Sequence, residues 1–144
     1  MEDLGSLEDR ASIHELNQRY AVHVDLKEPD AWAELFTEDV LFDEQEFGTP
    51  PMSSREEVRA YGQFLAANVR HALHHMTTHA ISDLTETTAR GVAFAVVEAQ
   101  LNDGDHARHH VIYHDRYAKV DGSWLFAERI LKSSLPSETF EPSP

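Results

Sequence analysis

The chain of 144 residues contains no cysteine, so neither a disulfide nor a thiolate metal site belongs to its design. Basic residues are scarce too: 12 Lys and Arg stand against 26 Asp and Glu, for a formal charge of −14. That balance argues against nucleic acid, because phosphate contacts need a basic face. No apolar run approaches the roughly 20 residues that span a bilayer. The first ten residues are acidic and polar, without the basic-then-apolar order of a signal peptide. A cytoplasmic protein without a membrane partner is the expectation. What the chain does have is enough for one core: 41% of its residues are hydrophobic. A single domain over 1–144 is expected, with its core over about 7–132. Histidine is plentiful, with 10 residues that crowd into 71–79 and 106–114.

Residues 7–27 read as a helix, with Ile13, Leu16, Tyr20 and Val24 at helical spacing and Ser6 with Asp9 as a capping box. Glu28-Pro29-Asp30 ends it, since proline disfavours helical geometry in the residue before it. Asp30 then caps a short second helix over 31–36, and 40–42 is a brief strand. After a loop with Gly48, Pro50 and Pro51, Ser54 and Glu57 form a second capping box for a helix over 55–69. Its inner face carries Val58, Tyr61, Phe64, Leu65 and Val69.

From there the composition turns to β-branched and aromatic residues, giving strands over 75–84, 88–101, 106–120 and 124–131. Asn102-Asp103-Gly104-Asp105 and Val120-Asp121-Gly122-Ser123 are hairpin signals between them. The tail over 133–144, with Pro136, Pro142 and Pro144, reads as irregular. Helices followed by an antiparallel meander define an α+β fold with helices covering one face of a curved sheet.

Two groups of residues carry a family resemblance. The first is Arg19-Tyr20-Ala21, Asp25, Asp30, Trp32, Leu35-Phe36 and Asp39. The second is Tyr113, Asp115, Arg116, Tyr117, then Asp121-Gly122-Ser123-Trp124, Phe126 and Arg129. In order and spacing they resemble the SnoaL-like branch of the nuclear-transport-factor-like fold, over about residues 9–131. That branch includes scytalone and bile-acid dehydratases and a hexachlorocyclohexane dehydrochlorinase. The resemblance implies a cone-shaped half barrel, an antiparallel sheet covered by three N-terminal helices, around a pocket for an apolar small molecule. It also implies a catalytic pair, with Asp25 orienting His75 and Tyr20 assisting. Arg129 and Tyr113 match pocket positions, and His79 stands where the dehydrochlorinase carries asparagine. Phe42, Tyr61 and Phe64 are further candidates for contact with substrate.

Histidine is the side chain whose ordinary pKa, about 6.5, suits proton removal at neutral pH. A carboxylate on its second nitrogen fixes the tautomer and stabilises the imidazolium that forms. The expected chemistry is proton abstraction with elimination, above all dehydration, or with a double-bond shift, on a hydrophobic cyclic oxygenated molecule. It requires no cofactor. Five residues separate Tyr20 from Asp25, about 140° around a helix, so the helix end must bend or unwind to turn both inward. Strand alternation puts His75, Thr77 and His79 on one face and His74 on the other. In 106–120, either His109, Val111, Tyr113, Asp115 and Tyr117 line the cone, or His110, Ile112, His114 and Arg116 do.

His71, His75 and His79 repeat every four residues, but on a strand they spread over more than about 20 Å, so no metal site is expected. Two other functions fit the same resemblance. One is a non-catalytic binding or assembly subunit, like the beta subunits of ring-hydroxylating dioxygenases. The other is a polyketide cyclase or hydroxylase. A homodimer or homotrimer, paired through the outer sheet face, is expected in each case.

Overall fold

The computed structural model describes residues 4–141. The elements follow in the order α1 (Leu4–Asp25), α2 (Pro29–Ala33), β1 (Phe36–Asp43), a 3-10 turn (Gln45–Phe47), α3 (Arg55–Asn68), β2 (Val69–Ser82), β3 (Thr88–Leu101), β4 (His106–Val120) and β5 (Ser123–Phe140). The three helices pack on one five-stranded sheet of order β1-β5-β4-β3-β2. β2 to β5 form the expected antiparallel meander, and β1 adds to it parallel to β5. The sheet is therefore mixed and is not closed into a barrel. Its α+β architecture is the cone-like one that the sequence implied. Among the described residues no helix is long and apolar enough to cross a membrane.

α1 buries Ile13, Leu16, Asn17, Tyr20 and Ala21, one continuous row on a helix. It begins before Ser6, so that residue is not the cap. Asp9 turns instead to the last hairpin, accepting hydrogen bonds from Trp124 Nε1 at 2.8 Å and Lys119 Nζ at 3.0 Å. At the other end Lys27 adopts a left-handed φ of 60°. The amides of Lys27 and Glu28 donate back to the carbonyls of Val24 and His23, which closes the helix as a Schellman motif.

Glu28, not Asp30, occupies the cap position of α2, and Asp30 pairs with Arg59 at 2.9 Å. α3 starts as expected, with Ser54 Oγ accepting from the Glu57 amide at 3.1 Å. Gly62 lets α3 lie against α2, because a Cβ there would meet the Trp32 ring at 3.0 Å and Pro29 Cβ at 3.1 Å.

Two departures in the sheet matter most. The tail expected to be irregular from 133 belongs to β5, which pairs with β4 out to Phe140 opposite His106. Register shifts on either side of His110 give β5 its extra residues, and Pro136 sits in that bulged stretch, where a missing N–H costs least. Pro142 and Pro144 lie outside the described residues. β2 begins at Val69, directly after α3, and carries a bulge of its own: Met76 pairs with Ala95 and Thr78 with Phe94, leaving Thr77 unopposed. The bulge inverts the alternation. Ala72, His74 and Met76 turn inward before it, His79 and Ile81 after it.

Tyr20, Trp32, Phe36, Phe42, Tyr113 and Phe126 meet ring to ring between the helices and the sheet, each at most 3% exposed. Burying a side chain of this size contributes about 1.5–3 kcal/mol. This cluster is the core, and the candidate site opens beside it.

Candidate active site

A cavity of about 570 Å³ lies between the C-terminal end of α1, the inner face of α3 and the concave face of the sheet. Its wall is chiefly apolar and aromatic, with Trp32, Phe42, Phe47, Tyr61, Leu65, Val97 and Val111 among the lining residues. Polar residues line it as well, and Tyr20, Asp25, Glu44, His74, His109 and Tyr113 are those that bear on its chemistry.

Asp25 is the last residue of α1, and β2 crosses that end of the helix. Its carboxylate grips one residue twice. Oδ1 lies 2.6 Å from His74 Nδ1, and Oδ2 accepts the His74 backbone N–H at 2.7 Å. Both side chains are largely buried, with exposures of 12% and 14%. The histidine in the pair is thus His74, and the expected His75 is exposed on the opposite face. The resemblance carries no register to choose between the two neighbours, and the alternation that put His75, Thr77 and His79 on one face fails at the Thr77 bulge, which sets His79 with His74 instead. No unwinding of the helix is needed to bring Tyr20 and Asp25 to one cavity, since α1 runs intact through Asp25.

Of the candidate residues named from the sequence, Tyr20, Asp25, Phe42, Tyr61, Phe64 and Tyr113 line the cavity. Of the two faces of β4, the one carrying His109, Val111 and Tyr113 lines it. The Tyr113 hydroxyl is fully buried and has no hydrogen-bond partner. Burial pushes its phenol above its ordinary range, so it keeps its proton and is available as a donor.

Arg129 and His79 do not line the cavity. Arg129 lies beneath its floor with no exposed surface, paired with Asp115 at 3.0 Å and bonded to Asn17 Oδ1. Its guanidinium carbon sits 3.9 Å from the Tyr113 ring centre and 4.3 Å from those of Tyr20 and Phe126. A cation so placed braces two cavity-lining tyrosines from behind.

His79 belongs to the same buried network. Tyr117 donates its hydroxyl proton to Asp115 Oδ2 at 2.7 Å, so His79 Nε2, 2.9 Å from that hydroxyl, is the donor there. His79 Nδ1 is left to accept from His14 Nδ1 at 2.7 Å. Gly91 makes room for this arrangement, as a Cβ there would approach the Tyr117 hydroxyl to 2.7 Å. Burial, His14 and Arg129 lower the His79 pKa to about 4. Below about pH 6.5 the unfolded chain binds a proton at this residue that the folded chain does not. Its contribution to stability is therefore present above that pH and lost as pH falls towards 4. Urea unfolding of the wild type and of His79→Gln is expected to show the wild type losing ground steadily between pH 6.5 and 4.5. A constant difference would contradict the assignment.

Besides His74, Glu44 escaped the sequence reading, which left the face of His109 open. Glu44 is 9% exposed with Oε1 unpartnered, and its ionisation is pushed up to about 6 by burial, against the nearby Tyr61 and Thr49 hydroxyls. Val40, Phe42 and Glu44 are consecutive inward positions at period two, a signal hidden by ending β1 at Phe42. His109 bonds Ser137 Oγ through Nδ1 at 2.7 Å, and burial, with His110 and His74 nearby, lowers its pKa. Among the described residues no group of three or more His, Cys, Asp or Glu side chains is arranged to hold a metal ion.

An α+β cone with a polar pair set in the wall of an apolar cavity defines a class of small-molecule pocket proteins. Residues 5–130 match the SnoaL-like domain, and the chain belongs to that family. No curated protein matches the sequence. Among solved structures it is similar to a protein from Novosphingobium aromaticivorans assigned as an aromatic ring hydroxylase. The identity is 25%, with 93% of this chain and 94% of that one covered at a TM-score of 0.87. A second protein of that organism, assigned as a scytalone dehydratase, is 21% identical over 96% of this chain and 92% of its own, TM-score 0.85. A type 2 hexachlorocyclohexane dehydrochlorinase is 18% identical over 97% and 94%, TM-score 0.86.

Proposed function

We infer that the protein is a cofactor-independent lyase that dehydrates a hydrophobic, cyclic, oxygenated small molecule, with Asp25 and His74 as its general-base pair. The observation that carries this reading is the double grip of Asp25 on His74 in the wall of the cavity. With Nδ1–H held by the carboxylate, Nε2 keeps its lone pair and can remove a proton from carbon. Asp25 then stabilises the imidazolium. The free Tyr113 hydroxyl supports the reading, because a substrate carbonyl that becomes an enolate needs a donor. Two of the similar folds are assigned as a dehydratase and a dehydrochlorinase, names that denote eliminations. A purely structural subunit predicts a filled core; the open cavity favours a small molecule.

Proton removal can be observed without knowing the natural substrate. Incubated in D₂O with indan-1-one, the wild type and the control His75→Gln are expected to exchange hydrogen for deuterium beside the carbonyl. His74→Gln is expected to leave the ketone at the buffer rate. Failure of the wild type to exceed that rate sinks the reading.

A further inference from the structure

Hydroxide is a poor leaving group, so a base that starts a dehydration leaves the second half of the reaction unassigned. We propose that Glu44 is the general acid of the site, giving its carboxyl proton to the departing substrate oxygen while His74 takes the proton from carbon. This rests on the lyase reading above. Glu44 and His74 line the same cavity, Glu44 from the end of β1 and His74 from β2, which are the two outer strands of the sheet. The carboxyl is nine-tenths buried and its Oε1 has no partner, an unmet valence that a purely structural core residue would not carry without cost. The 3-10 turn fixes the position: the Phe47 amide donates to the Glu44 carbonyl at 2.9 Å.

Of the other lining groups that could hold a proton for the leaving oxygen, the Tyr20, Tyr61 and Tyr113 phenols and His109 suit the task less well. Burial keeps the three phenols far too weak as acids near neutral pH, which fits them to hydrogen bonding alone. His109 has its ionisation lowered by burial and by His110 and His74, so it is neutral there, and its Nδ1 is engaged by Ser137. The groups facing Glu44 are Asp43, which raises its ionisation, and the Tyr61 and Thr49 hydroxyls, which lower it. Tyr20 and Tyr113 also feel its charge. The result, about 6, lies close to the pH at which an acid is most effective, and expulsion of water by a bound substrate moves it further up.

The step balances without any co-reactant. The C–H electron pair becomes the new C=C bond, the C–O bond breaks, and the oxygen leaves as water with the Glu44 proton. His74 ends protonated and Glu44 ionised. Proton return through solvent restores both.

The test separates the acid from the base by the leaving group. 3-Hydroxyindan-1-one must lose hydroxide to give inden-1-one and water, whereas 3-acetoxyindan-1-one loses acetate, which needs no proton. Glu44→Gln, of nearly the same shape, is expected to slow elimination of the alcohol on the order of 100-fold or more. The same variant is expected to act on the acetate within about threefold of the wild type. Equal rates on the alcohol overturn the Glu44 assignment and leave the base intact. Equal losses on both compounds also overturn it, because they mark a role in binding or shape. If the wild type exchanges no proton of indan-1-one and eliminates neither compound, the lyase reading falls and the acid falls with it.

Discussion

Asp25→Asn is expected to lower turnover by about 10⁴, the scale of losing the orienting carboxylate of a hydrolase triad. Asp25 accepts two hydrogen bonds from one residue, the ring Nδ1–H and the backbone N–H of His74. The backbone group can only donate. In the variant it claims the one amide oxygen, which leaves the amide NH₂ facing Nδ1. Two donors cannot share that contact, so the imidazole must move its proton to Nε2, the nitrogen that has to accept from carbon. The alternative orientation opposes the NH₂ to the backbone N–H, two donors in contact where Asp25 is only 14% exposed. Asparagine therefore does more harm than removal. Asp25→Ala, which leaves the tautomer free, is expected to retain more activity than Asp25→Asn. Combining Asp25→Asn with His74→Gln should add nothing to the loss from His74→Gln alone, because the two act as one unit. Steady-state rates with 3-hydroxyindan-1-one give all four values. An alanine variant worse than the asparagine one would contradict the tautomer argument.

The limits of the sequence reading lie at bulges and at helix–strand junctions. β3 and β4 are legible to the residue, because their alternation is uninterrupted and Gly104 and Asp121-Gly122, all at positive φ, mark the turns. β2 is not, since it follows α3 without a break and Val69 continues the apolar row of the helix. Nothing in Thr77-Thr78 distinguishes a bulge from regular strand, yet that single unopposed residue decides whether His74 or His75 shares a face with His79. A local pattern cannot report a register that its partner strand sets. Arg129 is hidden in the same way and in one more. A register shift at Ala127 breaks the alternation, so counting from Trp124 and Phe126 points Arg129 outward, and its place beneath the cavity depends on the rings of Tyr20 and Tyr113 that it packs against. Asp25 comes from the resemblance, and its place at the C-terminal end of α1 depends on no strand register. The family resemblance added the cone and a pair of Asp25 with His75, one residue away from the histidine that Asp25 holds.

The largest effect on stability is expected at Arg129. Arg129→Met removes a cation with no exposed surface and leaves the Asp115 carboxyl, 5% exposed, with only Tyr117 to bond it. Breaking one side of a buried pair costs about 3–5 kcal/mol, because the remaining charge stays out of water uncompensated. In a domain of this size that lowers the melting temperature on the order of 10 °C. Burial already pushes the Asp115 carboxyl up, while Arg129 and Tyr117 hold it down. Without the guanidinium it rises further, so the folded variant takes up a proton that the unfolded chain does not. A group raised in this way leaves stability intact at low pH and removes it as pH climbs through the folded value. The deficit of Arg129→Met should therefore be smaller at pH 5 than at pH 8. Arg129→Met combined with Asp115→Leu, which removes both charges, is expected to recover much of the loss. The recovery will be incomplete, as Asn17 Oδ1 and the Tyr117 hydroxyl then lose their partners. Denaturant curves for the two single variants and the double variant at both pH values measure the coupling. A double variant no more stable than Arg129→Met would show that the guanidinium acts through its contacts with Tyr20, Tyr113 and Phe126 rather than through its charge on Asp115.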